Sequence, residues 1–65
     1  MPIVTIETWP MEKEMKTDVI RNITEVFVGL GIPAQAVTVV IHENEMENWG
    51  SEGIQHSVKF ADMRK

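Results

Sequence analysis

The sequence predicts a small α/β (α+β) domain, built as a single βαβ unit that a short C-terminal hairpin follows. Two short runs rich in β-branched residues lie on either side of a longer segment whose apolar residues recur three or four positions apart, which predicts strand, helix and strand. Glycine-containing turn signals near the end of the chain predict the hairpin. At 65 residues the chain has room for one domain, which we place over residues 1–65.

The two strands of the unit are predicted over residues 3–8, IVTIET, and residues 36–42, AVTVVIH. Trp9-Pro10 ends the first strand, since proline suits a turn or the first turn of a helix. The second strand is almost continuously apolar, which is typical of strands that are buried on both faces in a parallel sheet. Two parallel strands joined by a helix should have a right-handed crossover.

The helix between the strands is predicted from about Glu12 to Leu30. Its apolar stripe consists of Met15, Val19, Ile23, Val26, Phe27 and Leu30. Glu12 and Lys16 stand four positions apart, in the order that favours an ion pair on one helix face. Gly31 and Pro33 follow the stripe and form a stop signal for the helix.

Pro2 directly precedes the first strand, and it has two interpretations. A small second residue allows Met1 to be removed, and a proline there starts a strand without losing a ladder hydrogen bond. Once Met1 is gone, however, Pro2 is an N-terminal secondary amine, which can act as a base. Because parallel strands begin at the same edge of a sheet, we expect Pro2 to lie near Val37 and Thr38.

The C-terminal third of the chain is predicted to consist mostly of connections and turns. The acidic residues 43–47 are expected to form a solvated connection. Trp49-Gly50 and Gly53 mark turns around the short hairpin, and the chain is expected to be irregular from Ser57 onward.

Composition limits the classes of function. The net charge is −4, there is no cysteine, and 43% of the residues are hydrophobic. Disulfides and thiolate zinc sites are therefore excluded, and an acidic chain with scattered basic residues does not fit a nucleic-acid binder. No apolar run approaches the roughly 18 residues of a membrane helix, and no signal-peptide pattern is visible, so we expect a soluble, cytoplasmic protein. A chain this short buries only about 60% of its unfolded surface, so we expect oligomerisation to complete the core.

The two histidines do not predict a metal site. His42 and Glu43 are adjacent on a strand, so their side chains should point to opposite faces, whereas metal ligands must converge. We interpret His42 and His56 as ordinary surface or interface residues, and we expect neither a metal nor a cofactor. Ser57 has no visible base partner, which does not favour a nucleophilic hydrolase.

Four segments, taken in order, resemble the 4-oxalocrotonate tautomerase family: MPIVTI at the front, KTDVIR in the helix, VTVVIHE in the second strand and WGSEG near the end. The resemblance covers nearly the whole chain, and it implies a homohexamer, built as a trimer of dimers, whose active sites draw on neighbouring chains. It also implies an isomerase that moves a proton between carbon and oxygen in a small unsaturated keto or enol acid. By position, Pro2 would be the general base and Trp49 the aromatic wall of the pocket.

The sequence departs from this family at the residues that hold the substrate. The best-known members bind a dicarboxylate with two arginines, one just before the helix and one on the second strand. By alignment these positions are Met11 and Thr38, and neither residue is charged. We therefore expect weak activity on a 2-hydroxymuconate-like dicarboxylate, and a smaller, more apolar monocarboxylate or an aryl keto-enol as substrate. The candidate substrate-binding residues are Thr38, Trp49 and Met11.

Two alternatives to this isomerase remain open. Relatives in the superfamily hydrate or dehalogenate small unsaturated acids, or decarboxylate a semialdehyde, but they normally use an arginine near the proline. The other alternative is a catalytically inactive module that keeps the fold for a structural or interaction role, and the missing arginines favour it. If Met1 is retained, Pro2 is an amide nitrogen and cannot be a base.

Overall fold

The βαβ unit and the C-terminal hairpin are both present in the computed structural model, which describes residues 2–63. The regular elements are β1 (Ile3–Thr8), α1 (Lys13–Val28), β2 (Thr38–Glu43), β3 (Gly50–Ser51), β4 (Ile54–Gln55) and α2 (His56–Lys59). Short 3₁₀ turns cover Ala34–Ala36, Met46–Asn48 and Ala61–Met63. The order of these elements confirms the predicted fold class.

The strands β1 and β2 form a parallel pair whose register runs from Ile3 opposite Thr38 to Thr8 opposite Glu43. The Thr38 N–H donates to the Pro2 carbonyl at 3.0 Å, which confirms that Pro2 lies at the start of the second strand. That strand begins later than the predicted residue 36, because Pro33 starts a 3₁₀ turn over Ala34–Ala36.

The helix α1 covers one face of this two-stranded sheet. Side chains alternate between faces along a strand, and in β1 the even-numbered residues, starting with Val4, are the half-buried ones. Glu43 shares the face of Val4 and reaches Lys16 of α1, so this is the helix-covered face. Ile3, on the opposite face, is 63% exposed.

The predicted apolar stripe of the helix is only partly covered. Val19, Ile23 and Phe27 are half-buried, whereas Met15, Val26 and Leu30 are 54%, 58% and 74% exposed. A single chain therefore covers only half of the stripe. Two strands make a sheet only about 5 Å wide between strand axes, which is too narrow to cover the whole stripe.

Helix α1 ends in a glycine-dependent cap, as predicted. Gly31 has a φ of +95°, the left-handed conformation that glycine adopts without steric cost. Its N–H donates to the Val28 carbonyl, and the Ile32 N–H donates to the Phe27 carbonyl. This pair of bonds is the Schellman motif, which satisfies carbonyls that the helix leaves open.

Two predictions for the C-terminal third are wrong. The acidic connection is not fully solvated, because Met46 lies within it and is only 8% exposed. The chain beyond Ser57 is not irregular, because α2 and a 3₁₀ turn follow the hairpin. Gly50 lies in β3, while the turn itself is formed by Glu52 and Gly53, both with positive φ.

A single chain does not enclose a core. Among the residues described, Met46 is the only one that is buried. The radius of gyration is 14.9 Å, against about 11 Å for a compact chain of this length. The accessible surface is 4989 Å², against about 4,200 Å² for a typical folded monomer of this mass. Over residues 2–63, no helix is long and apolar enough to cross a membrane.

Candidate functional site

Pro2 and Thr38 lie together at the amino end of the sheet. Pro2 is half-buried, and its carbonyl accepts the N–H of Thr38, so the backbone at the start of both strands is fixed. Thr38 stands opposite Ile3 and is itself exposed, so its hydroxyl is open to a ligand at this edge.

Met11 and Trp49 lie at the other end of the sheet. The Met11 N–H donates to Glu43 Oε2 at 2.7 Å, and Glu43 is the last residue of β2. The Trp49 indole Nε1–H donates to the carbonyl of Asn44 at 3.0 Å. The Asn44 N–H in turn donates to the Thr8 carbonyl, which places Trp49 beside the carboxyl ends of both strands.

The four candidate site residues therefore form two groups within one chain. Pro2 and Trp9 stand at opposite ends of β1, seven residue steps apart, which corresponds to about 23 Å in an extended strand. A single chain brings Pro2 to Thr38, but it does not bring Pro2 to Met11 or Trp49.

Glu43 is the strongest electrostatic feature at the carboxyl end. Its carboxylate accepts the N–H of Met11 and, at 2.9 Å, the ammonium of Lys16. The hydrogen bond from Met11 lowers the pKa of Glu43 most, the bond and charge of Lys16 lower it further, and partial desolvation opposes them. The predicted Glu12–Lys16 ion pair is replaced by this one, because Glu12 is the extended residue before the helix rather than part of its first turn.

An aromatic cluster, which we define as Trp9, Trp49, His56 and Phe60, joins the end of β1 to the C-terminal segment. The imidazole of His56 stacks on the Trp49 ring with centroids 5.8 Å apart and an interplanar angle of 18°. It meets the rings of Trp9 and Phe60 edge-on, with centroids at 5.6 Å and 5.1 Å. All four residues are half-buried.

Both nitrogens of His56 have hydrogen-bond partners. The Trp9 Nε1–H donates to Nδ1 at 3.3 Å, and Ser51 Oγ lies 3.3 Å from Nε2. His56 is thus a partly buried element of the aromatic cluster and not an ordinary surface residue. His42 is different: it is exposed and pairs with Glu7 at 2.6 Å. Within residues 2–63, no group of three or more His, Cys, Asp or Glu side chains could hold a metal ion.

Sequence reasoning missed the roles of Glu43 and His56, because both depend on contacts between distant positions. Glu43 reaches a loop 32 positions away in the sequence, and His56 reaches Trp9 across 47 positions. The only local signal was the four-residue spacing of His56 and Phe60, which places two rings on one helix face.

Comparison with known proteins identifies the family. The family model for the tautomerase enzymes matches residues 2–59, almost the whole chain. The chain belongs to the tautomerase family. Proteins of this family usually oligomerise and act on small molecules, and the open surface of this chain agrees with oligomerisation. No curated protein sequence matches the chain significantly.

Solved tautomerase homologues share the fold. TomN, a 4-oxalocrotonate tautomerase homologue in the tomaymycin biosynthetic pathway, matches 92% of this chain and 95% of its own, with a TM-score of 0.83 at 21% identity. SAR1376 of methicillin-resistant Staphylococcus aureus, named as a candidate 4-oxalocrotonate tautomerase, matches over 86% and 94% with a TM-score of 0.75 at 26% identity. The homologue TTHB242 matches over 88% and 94% with a TM-score of 0.79 at 25% identity.

Proposed function

We propose that this tautomerase-family protein transfers a proton between oxygen and carbon in a small unsaturated 2-keto or 2-hydroxy acid, with Pro2 as the general base. The observation that carries the proposal is the place of Pro2, at the start of β1 and first in the segment that matches the family model. Removal of Met1 gives Pro2 a free secondary amine.

The amine of Pro2 can perform this reaction without a cofactor. An α-amino group has a pKa near 8, and apolar surroundings favour its neutral, basic form. The neutral nitrogen takes the hydroxyl proton of a dienol, and the same proton or its equivalent is returned to carbon, so the substrate becomes a conjugated ketone with no net change in atoms. A base whose pKa lies near the working pH transfers protons most effectively.

A complete site requires more than one chain. Within residues 2–63 the sheet has two strands, and no strand of this part of the chain pairs with the outer edge of β1. If the β1 edges of two copies pair antiparallel, Pro2 of each copy lies near the carboxyl end of the other, where Trp9, Met11 and Trp49 are found. The exposed apolar residues support burial by further copies, and we propose a homohexamer built as a trimer of dimers.

The charges at this end of the sheet favour a substrate with a single carboxylate. Met11 and Thr38 are uncharged, so neither offers the bidentate contact with which an arginine holds a carboxylate. Glu43 already occupies the N–H of Met11 and the ammonium of Lys16. Neither of these donors is then available to hold a second substrate carboxylate, and so we propose a monocarboxylate or aryl keto-enol substrate.

The test combines the mass of the intact protein with an enol-tautomerisation assay across pH. We expect the natively produced protein to lack the mass of Met1 and the Pro2→Ala variant to lose activity. Pro33→Ala is the matched control, since Pro33 lies in the loop after α1 and belongs to neither group of site residues. Full activity of Pro2→Ala would refute the proposed role of Pro2.

Mixed assemblies test whether two chains share each site. When Pro2→Ala and Trp49→Ala chains are refolded together in equal amounts, a shared site is intact in about one quarter of cases. If each site is instead built within one chain, every site contains either Pro2→Ala or Trp49→Ala and is inactive. Recovery of activity in the mixed assembly therefore supports a shared site, and a complete lack of activity contradicts a shared site.

An inactive module is the second candidate, and the uncharged residues at Met11 and Thr38 favour it. In that case Pro2 stays blocked or without substrate, and no enol substrate is converted above the background rate. If the protein retains Met1 and shows no activity, the inactive module is the correct interpretation. Hydration, dehalogenation or decarboxylation would instead appear as product formation that depends on Pro2 in the absence of tautomerisation.

A further inference from the structure

His56 links the C-terminal segment to the βαβ unit. Its ring is stacked on Trp49, and its backbone N–H donates to the Trp49 carbonyl at 2.9 Å, so the two residues move together. The same ring accepts a hydrogen bond from Trp9, the residue after β1. Through His56, the position of the Trp49 side chain is tied to the end of β1.

The hydrogen bonds of His56 require one particular state of the imidazole. An indole N–H can only donate, so Nδ1 must carry a lone pair and the proton of the neutral ring must be on Nε2. The Nε2–H then donates to Ser51 Oγ, which also accepts from the ammonium of Lys59 at 3.3 Å. The two lone pairs of the hydroxyl match these two donors.

Protonation of His56 would place two N–H donors against each other. The imidazolium carries N–H groups on both nitrogens, so Nδ1–H would face the Trp9 indole N–H and the hydrogen bond would be lost. The charged residues in the segments next to the ring are Glu45 and Glu47 at the 3₁₀ turn before the hairpin, Glu52 in the hairpin turn, Lys59 in α2 and Asp62 in the 3₁₀ turn after it. Lys59 pairs with Glu52 at 2.6 Å, which offsets its charge beside Ser51. Trp9 itself is flanked by uncharged residues.

We propose that His56 is a positioning residue: its neutral imidazole ties the Trp9 indole to the Trp49 ring, and protonation on Nδ1 releases this tie. The consequence for catalysis rests on the proposed function, in which Trp49 lines the pocket of a neighbouring chain. With the tie broken, Trp49 loses its fixed orientation, so substrate binding weakens when His56 is protonated. His56 itself does not contact the substrate.

The first arm of the test follows the tie directly and needs no activity. The chain has two tryptophans, so ¹H–¹⁵N spectra contain two indole N–H signals, and a Trp9→Phe variant assigns them. We expect the Trp9 signal to move as the pH is lowered from about 8 to about 5, because its acceptor becomes protonated. In His56→Asn the signal should stay constant over this range, since the amide oxygen can accept at the Nδ1 position and does not titrate.

Two further variants make this arm decisive. His56→Phe keeps an aromatic ring in the cluster but removes the acceptor, so its Trp9 signal should lie at the solvent-exposed position at every pH. His42→Asn is the matched control on the open face of the sheet and should leave the wild-type titration of the Trp9 signal intact. A Trp9 signal that is independent of pH in the wild type, or that titrates in His56→Asn, overturns the proposal.

The second arm measures kcat and KM across pH. Loss of one partly buried hydrogen bond in the cluster should raise KM about fivefold to tenfold in His56→Phe, with a smaller effect on kcat. In His56→Asn, KM should be close to that of the wild type at about pH 8 and should no longer rise toward about pH 5. If the wild type shows no tautomerase activity, the spectral arm still decides whether the tie exists. A wild-type titration of Trp9 without any KM dependence on His56 would overturn the positioning role alone.

Discussion

Met46 provides the most direct test of how the C-terminal segment is held in place. We expect Met46→Ala to lower the free energy of unfolding by about 2–3 kcal/mol, near the lower end of the range for truncating a buried methionine. Met46 is 8% exposed, so most of its side chain is removed from water, but the surroundings are open enough to relax partly. For a chain of 65 residues the total stability is roughly 3–10 kcal/mol, so the loss would be a large fraction of it.

The assay is urea unfolding followed by far-UV circular dichroism, with Met15→Ala as the matched control. Both substitutions remove the same atoms, but Met15 is 54% exposed in the chain. We expect Met15→Ala to change the free energy of unfolding by less than about 0.5 kcal/mol at low protein concentration. Since a partner chain can cover Met15 but the contacts of Met46 lie within its own chain, only the effect of Met15→Ala should depend on concentration.

A second readout connects Met46 to the site. The Trp49 N–H donates to the Met46 carbonyl at 3.1 Å, so movement of the 3₁₀ turn displaces Trp49. Met46→Ala should therefore weaken the near-UV circular dichroism of the tryptophans before global unfolding. If Met46→Ala costs no more than Met15→Ala at every protein concentration, Met46 does not anchor the segment and the reasoning fails.

Three other predictions concern the hairpin, the carboxylate and the assembly. Gly53→Ala should destabilise the fold by about 1–2 kcal/mol, because φ is +77° at this position. Gly50→Ala is the control and should be neutral in the same urea titration, because the new methyl group would make only an ordinary contact with the Ile54 carbonyl oxygen, at 3.6 Å. Glu43→Gln should reduce stability at neutral pH, and the difference from the wild type should shrink as the pH falls below 4.5, the ordinary pKa, and through the lowered pKa of the folded state. A difference of the same size at every pH would contradict the role of ionised Glu43. Finally, the urea midpoint of the wild type should rise with protein concentration, as mass action requires of an oligomer, and a constant midpoint would contradict assembly.

The elements that could be predicted from the sequence are those governed by local periodicity. The strand IVTIET is observed with the predicted bounds, Ile3–Thr8, because β-branched residues and a following proline define it locally. The helix was predictable from its apolar spacing, and its end from Gly31. The position of Pro2 beside Thr38 followed from the rule that parallel strands start at one edge.

The C-terminal third could not be predicted in the same way, since its structure depends on single residues in polar surroundings. Met46 lies between acidic residues, so any window average around it is hydrophilic. The 3₁₀ turn nevertheless directs Met46 inward while Glu45 and Glu47 remain exposed. The contact between Trp9 and His56 in the aromatic cluster spans 47 positions, and no period in the sequence describes such a contact.

The almost continuously apolar second strand is less buried in the structure than its sequence predicted. An apolar strand was expected to be buried on both faces, yet in one chain neither face is fully buried: Val39 and Ile41 toward α1 and Val40 on the other face are all half-buried. The exposed Ile3 lies on this same open face. The surplus of apolar residues therefore fits the surface of the proposed assembly better than the core of a single chain. Because assembly is also what would bring Pro2 to Trp49, the residues that stabilise the oligomer and those that complete the site should be inseparable: substitutions on the open face should reduce activity in proportion to the oligomer they dissociate.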